Sequence, residues 1–267
     1  MRVGFTIAYN AEHHLREYGE RLARMLDLWV VVEGAAQPGG STGWCKPLGD
    51  PHSTDGTERT VKTIMAKNTR VFQQVYIIEA DPFEWDSKDE MVRTAARVIR
   101  DEVDSRNLPK PIFLWQIDAD EVWTEQQMRA AEQALLESGA DCGCFHADHY
   151  VGENLVARGE WGEGNAPGDP LRNAYRRLWK WKGQQFATHE PPELEGGNGK
   201  CVLLPQRFMH NSYRYEKDVI FKSRYYQGYE DLHEKWLSLQ KETVFPQPIG
   251  RLINGHWGQT ATVIERI

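Results

Sequence analysis

Asp118, Asp120 and Glu121 close an apolar run, Ile112-Phe113-Leu114-Trp115-Gln116-Ile117, within the stretch IFLWQIDADEVW at 112–123. Two carboxylates one residue apart at the end of a buried strand each lose hydration worth several kcal/mol, so they call for a counter-cation. Hard oxygen ligands favour Mg²⁺ or Mn²⁺, ions that bind through one or two carboxylates together with the phosphates of a substrate. The plainer alternative is that the acids cap the next helix and favour its positive end.

The elements around these acids set their position. Lys110-Pro111 marks a turn, and the apolar run after it suits a buried parallel strand. Thr124 to Ser138 reads as a helix, with a capping pair at Thr124 and Gln127, an apolar face of Met128, Ala131, Leu135 and Leu136, and a stop at Gly139. The acids therefore fall at the carboxyl end of a central strand, where open α/β sheets bind ligands. Upstream, strands are expected at 2–9, 28–34 and 71–80, with Asn10 ending the first and Glu33-Gly34 the second. Helices are expected from about Ala11 to Asp27, after the turn Ser53-Thr54-Asp55-Gly56, and after a capping box at Ser87 and Glu90. This strand–helix alternation predicts an α/β fold with a mostly parallel central sheet and right-handed crossovers. The Gly/Pro-rich loop at 35–51 is far longer than an ordinary connection, as functional or mobile loops are.

After residue 140 the pattern changes. Residues 142–151 alternate as a strand, and the Gly-rich stretch 159–170 reads as a lid or acceptor-site loop. Residues 175–194 suggest strands with an exposed turn, 202–213 a strand and turn, and 216–227 and 229–240 helices. A strand-poor tail carries Gly255-His256-Trp257, and no internal repeat is found.

The chain of 267 residues suffices for one large α/β domain or two small ones, and 40% hydrophobic and 27% charged residues is an ordinary globular composition. A net charge of −7 argues against nonspecific nucleic-acid binding, so no stable nucleic-acid partner is expected. Four cysteines without a C-x-x-C pair point to a reducing compartment. With no signal peptide and no bilayer-length apolar span in view, a cytoplasmic protein without a transmembrane segment is the expectation. Ten tryptophans could face sugars or bases, although a structural role is the commoner one.

In order along the chain stand a first strand ending in Asn10, a second ending in Glu33, S-T-D-G-T at 53–57 and D-A-D at 118–120. Together they resemble the GT-A glycosyltransferases, especially glycosyltransferase family 2. The VVVEG strand and the following loop with Lys46-Pro47-Leu48 are also similar to family 17, the bisecting N-acetylglucosaminyltransferases. The resemblance covers the first half well and the second loosely, and the long insertion between Glu33 and Ser53 departs from family 2.

The resemblance implies a single GT-A domain over 1–267, with a nucleotide-sugar-binding half at 1–140 and an acceptor-binding half with C-terminal helices at 141–267. It implies a nucleoside-diphosphate-sugar donor, a glycan or other hydroxyl-bearing acceptor, and Mn²⁺ or Mg²⁺ as cofactor. Glu33 and Asp55 would contact the nucleobase and its surroundings, with Asn10 beside them and Lys88 near the nucleotide. Asp118 would contact ribose or metal, and Asp120 would ligate the metal on the diphosphate. A metal-side histidine is assigned to His210, with His256 as the alternative. An inverting transfer needs a carboxylate base, for which Glu190 is the choice and Glu163 and Asp169 are the rivals.

Two further constellations stand out. Cys142, Cys144, His146 and Asp148 alternate on one strand face, but four ligands along one strand cannot close a tetrahedron around zinc, so an inward face of small side chains is the simpler reading. The run Tyr175–Lys182 (YRRLWKWK) could stack sugars or hold phosphates, or be an ordinary strand with a solvated face. Rival functions are a nucleotidyltransferase, a non-catalytic carbohydrate or nucleotide-sugar-binding module, and a transferase acting on nucleic-acid bases. The nucleotidyltransferase would need a Gly-rich basic loop after the first strand, where AYNAEHH has neither Gly nor Lys.

Overall fold

The computed structural model describes residues 1–68, 74–79, 83–107, 109–158, 171, 174–253 and 263–267. Its centre is four parallel strands: β1 (Arg2–Ala8), β2 (Leu28–Glu33), β3 (Gln74–Glu79) and β4 (Ile112–Gln116). They run in the order β3-β2-β1-β4, with Val3 opposite Leu28 and Leu114, and Ala8 opposite Glu33. Every residue of β2 and β4 is buried, as near-continuous apolar runs covered on both faces must be.

The connections are helical. The segment after β1 is expected as one helix, but it forms α1 (Glu12–His14), a π-helical turn (Leu15–Gly19) and α2 (Glu20–Met25). α3 (Thr57–Lys67), α4 (Lys88–Ser105) and α5 (Glu125–Ser138) follow. α5 carries the reciprocal capping box of Thr124 and Gln127 and stops at Gly139, whose φ of 65° suits glycine. At α4 only half of the expected box forms: Glu90 N donates to Ser87 Oγ, while the Glu90 carboxylate accepts from Asp86 N instead. α4 packs on one sheet face through Val92, Ala96 and Ile99, and α2, α3 and α5 cover the other through Leu22, Ile64, Met128 and Leu135.

The second half extends the same sheet with mixed polarity. After the short β5 (Glu121–Val122) come β6 (Cys142–Val151), β7 (Leu155–Arg158) and β8 (Tyr175–Trp181). β8 lies antiparallel on β4, so one sheet runs through both halves of the chain. β9 (Phe186–Thr188) and β10 (Glu193–Leu194) form a separate hairpin. β11 (Cys201–Tyr213) is one strand of 13 residues where a strand and turn are expected, and it pairs in parallel with β6. Helices α6 (Glu216–Tyr225) and α7 (Leu232–Lys241) follow. The tail is less strand-poor than its sequence suggests: β12 (Gln247–Pro248) pairs with β13 (Val263–Arg266), which pairs with β7. Four and two residues are too few to show an alternation.

The tryptophan question resolves toward structure for most of the described rings. Trp29, Trp115, Trp123 and Trp179 are fully buried, and each finds an acceptor for its N–H on Thr6, Glu132, Glu121 and Asn198 respectively. No helix among the described residues is long and apolar enough to cross a membrane.

Candidate active site

The carboxyl ends of β1 and β4 open into a cleft of about 610 Å³, closed on its far side by α6 and the end of β11. Asn10, Asp55, Lys88, Asp118, Asp120, Glu190 and His210 all line it, brought together from six separate segments. Glu33 does not. It lies buried under the loop that follows, accepting from Ser53 N at 2.6 Å and meeting His52 Nδ1 at 3.3 Å. Its role in the fold is to hold the S-T-D-G-T turn against the sheet.

That turn is built from polar side chains. Asn10 adopts φ 50°, a left-handed conformation that asparagine tolerates better than most residues, and its Oδ1 accepts from Thr54 N at 2.8 Å and Asp55 N at 3.3 Å. Ser53 Oγ accepts from Asn10 N at 2.9 Å. Asp55 caps two helices, accepting from Thr57 N at 2.9 Å and from Glu12 N at 3.0 Å. Both oxygens of Asp55 therefore serve these helix starts, although its side chain still borders the cleft.

The two acids after β4 are differently partnered. Asp118 Oδ2 accepts from Arg177 Nη2 at 3.1 Å, and the same buried guanidinium donates through Nε to Glu121 at 2.8 Å. Glu121 is enclosed, and burial pushes its carboxyl up to about 8, with the Asp118 charge adding to the effect and Arg177 opposing it. Asp120 meets Ser212 Oγ at 3.0 Å, His210 Nε2 at 3.3 Å and Lys222 Nζ at 3.4 Å. Burial works against its charge, but His210 and Lys222 outweigh it and hold the carboxyl well below the ordinary range. The capping reading fails for Asp120, because α5 is capped by Thr124.

Donor type fits a hard divalent cation at Asp118 and Asp120, with the qualification that the Lys222 ammonium already neutralises Asp120. Among the described residues two groups of three His, Cys or acidic residues have ligand atoms within 4.8 Å of one another, and Asp118, Asp120 and His210 do not make a third. One is His13, His14 and Asp218, inside this same cleft, where the two Nε2 atoms lie 2.9 and 3.0 Å from the Asp218 oxygens. The other is Cys142, Cys144 and Cys201.

Glu190 is presented by a turn that the long 35–51 loop holds in place. Asp89 accepts from Ser41 N at 2.9 Å and from His189 N at 2.7 Å, and Ser41 Oγ accepts from Glu190 N at 3.1 Å. Burial raises the Glu190 carboxyl, with Lys88 opposing and Asp118 reinforcing the shift. Burial also depresses Lys88, but Tyr225, Cys45, Glu190 and Asp118 reverse this and raise its ammonium above the ordinary range. His189 lines the cleft with neither ring nitrogen hydrogen-bonded among the described residues, and burial, with Lys88 and Arg177 nearby, holds its pKa well below the ordinary value. The same long loop supplies Trp44, which packs on Tyr226 at 4.8 Å between ring centroids; both border the cleft.

No protein-family model and no curated protein matches the chain. Similar solved structures include S. aureus TarS 1–349, at 13% identity and TM-score 0.47, covering 88% of this chain and 69% of that one. A complex of the same protein with UDP-GlcNAc gives 12% identity and TM-score 0.44, covering 89% and 70%. A 4-diphosphocytidyl-2C-methyl-D-erythritol synthase gives 12% and 0.32, covering 67% and 74%. These values single out neither family 2 nor family 17. Strand order and register, rather than these likenesses, identify the α/β fold with its parallel central sheet.

Sequence reasoning missed Ser41, Asp89, Asp218 and Lys222, and gave no separate role to Arg177 or His189. Arg177 lies in the YRRLWKWK run, where Trp179 and Trp181 are core residues and Tyr175 and Arg177 reach the cleft. Glu163, Asp169 and His256, with the whole 159–170 loop and Gly255-His256-Trp257, lie outside the described residues.

Proposed function

We propose that the cleft binds a nucleoside-diphosphate sugar and passes the sugar to an acceptor hydroxyl, with inversion. The observation that carries this reading is the gathering of cations, acids and a basic carboxylate at the carboxyl ends of β1 and β4, where α/β sheets take ligands. Within a single GT-A domain over 1–267, residues 1–140 would bind donor and 141–267 acceptor. The Asn10–Asp55 turn would meet the nucleoside, and Lys88 and Lys222 the diphosphate. A bound Mg²⁺ or Mn²⁺ would neutralise charge on the leaving diphosphate, held by the oxygens of Asp118 and Asp120 with His210 behind Asp120.

Glu190 would accept the proton of the acceptor hydroxyl as its oxygen attacks the anomeric carbon. A carboxylate raised by burial is a stronger base than one in water, and general-base groups of this kind contribute about 10²–10⁴-fold. His189, neutral and with no partner for its ring nitrogens among the described residues, can hydrogen-bond a substrate oxygen. A cytoplasmic location, with the four cysteines as free thiols, and a glycan or other hydroxyl acceptor complete the proposal.

A thermal-shift series of nucleoside diphosphates and their sugars, with and without Mn²⁺, tests it. A ligand at 100 times its Kd adds about 2.7 kcal/mol, roughly 5 °C for a chain of this size. The reading expects a shift that needs both nucleotide and Mn²⁺. Loss of that shift in Asp120→Asn but not in Asp218→Asn would place the ion at the acids after β4, and the reverse would move it to the His13–His14–Asp218 cluster. No shift with any nucleotide at millimolar concentration would overturn the proposal. Release of pyrophosphate from a nucleoside triphosphate supplied with a sugar phosphate, and no release of nucleoside diphosphate from a nucleotide sugar, would make the enzyme a nucleotidyltransferase.

A further inference from the structure

We propose that Cys142, Cys144 and Cys201 form a thiolate site for a soft divalent cation, with zinc the best match, at the end of β6 and β11 remote from the cleft. Cys142 and Cys201 are directly paired across the parallel β6–β11 ladder, and Cys144 follows two residues along β6, so all three side chains share one face. The sulfur atoms all lie within 4.8 Å of one another. Three thiolates on one ion at about 2.3 Å need sulfur–sulfur separations of roughly 4 Å. Along β6, Cys142 lies seven residues from His149, or roughly 23 Å at strand rise, so the site is separate from the cleft.

A single strand could not close such a site, but here the third ligand comes from a second strand. The turn before β11 is shaped for that delivery. Gly199 has φ 66°, and a Cβ there would meet Asp141 Oδ2 at 2.6 Å; the next residue, Lys200, accepts from Asp141 N and Cys142 N through its carbonyl. His146 and Asp148 take no part: Asp148 pairs instead with Arg207 at 2.8 Å.

Arg176 supplies the independent observation. It pairs opposite Cys144 on β8, and its Nε and Nη1 are buried with no hydrogen-bond partner among the described residues. Two buried guanidinium nitrogens without a partner are costly, and they favour an anion beside them. Three thiols offer none, and a disulfide removes two of the groups that could become one. Three thiolates with Arg176 carry a net charge of −2, which a divalent cation cancels. Soft sulfur ligands select zinc over Mg²⁺ or Ca²⁺. Binding sends the thiol protons to solvent, and because Cys201 is half-buried while Cys142 and Cys144 are enclosed, the open fourth position faces the Cys201 side.

The test is a Co²⁺ titration of the full chain, purified reduced and stripped of metal. A stoichiometric thiolate-to-cobalt charge-transfer absorption, displaced by Zn²⁺, is expected, and Zn²⁺ should protect the half-buried Cys201 from a thiol reagent. Cys144→Ser and Cys201→Ser should each remove about a third of that absorption and weaken binding at least about tenfold, whereas Cys45→Ser should leave both unchanged. A reduced wild-type chain that gives no charge-transfer band, and whose thiols react equally with and without Zn²⁺, would overturn the proposal. So would a disulfide within this trio in protein taken directly from a reducing cytoplasm. Neither outcome bears on the donor-site reading, which has its own readout in nucleotide binding.

Discussion

Asp120→Asn keeps the shape of the side chain and removes its charge, and its effect on the unliganded protein is the sharpest check on the electrostatics of the cleft. A carboxylate kept only for a ligand is a liability in the empty protein, and its removal stabilises. Asp120 is instead paired, with Lys222 Nζ at 3.4 Å and His210 Nε2 at 3.3 Å, its side chain 16% exposed and that of Lys222 13%. At an effective dielectric near 20, a unit pair at 3.4 Å attracts by about 5 kcal/mol before desolvation. The lysine and aspartate give back part of that on leaving water, and partial exposure screens more, which leaves about 2–3 kcal/mol. For a chain of 267 residues this corresponds to a fall in melting temperature of roughly 4–6 °C. The sign with pH follows from the lowered carboxyl. The stabilisation is complete above the ordinary value of 3.8 and is lost as pH falls from there through the lower folded-state value. Urea unfolding of wild type and variant at neutral pH and near pH 3 measures both. An Asn variant as stable as wild type, or more stable, at neutral pH would refute the pairing and return Asp120 to the status of a ligand-only acid.

Glu190→Gln should lower kcat by about 10²–10⁴-fold with little change in donor affinity, and the acid limb of the wild-type rate profile should fall above the ordinary carboxylate value of 4.5 because burial raises this group. Steady-state rates across pH with donor binding in parallel separate the two effects. Buried His189 stays neutral in the fold, so wild-type stability should drop as pH falls below 6.5, by up to about 1.4 kcal/mol per unit more than in His189→Gln; chemical unfolding at pH 5 and 7 checks this. Asn10→Ala should cost about 1–3 kcal/mol, through a left-handed backbone and the lost bonds to Thr54 and Asp55, while Asn10→Gly should recover the backbone share alone. Denaturant midpoints of the three proteins decide it.

What could be read from the sequence, and what could not, divides by how local the cause is. β4 and its acids were legible because an apolar run of strand formers ends in charge within one stretch, and α5 because its capping residues lie three apart. The 35–51 loop was recognisable only by its length. Its work, seating Ser41 under Glu190 across 149 positions, has no sequence signal. The one-helix reading of 11–27 missed the π turn for a similar reason, since helical spacing does not reveal a change of hydrogen-bond pattern. Glu33 misled because an acid at a strand end looks alike whether it faces a ligand or holds the next loop.

The cations give the deeper case. Lys222 and Arg177 reach Asp120 and Asp118 from 102 and 59 residues away, one on a helix and one in a run that also builds the core. Nothing in their neighbourhoods marks them, because the property that matters is the sheet order that brings β8 beside β4 and α6 over the strand ends. The acids, read alone, called for a metal; the fold supplies part of the counter-charge from the chain. That shifts the role left for a divalent ion. An ion needed to make the acids tolerable would already be required in the empty protein, whereas Lys222 and Arg177 meet that requirement without one. On the proposed reading the ion's remaining task would be at the diphosphate, so its binding should strengthen when nucleotide is present, and by linkage nucleotide binding should strengthen equally when the ion is present. Calorimetric titration of Mn²⁺ with and without a nucleoside diphosphate measures that coupling, and an ion that binds equally well to the empty cleft would refute it.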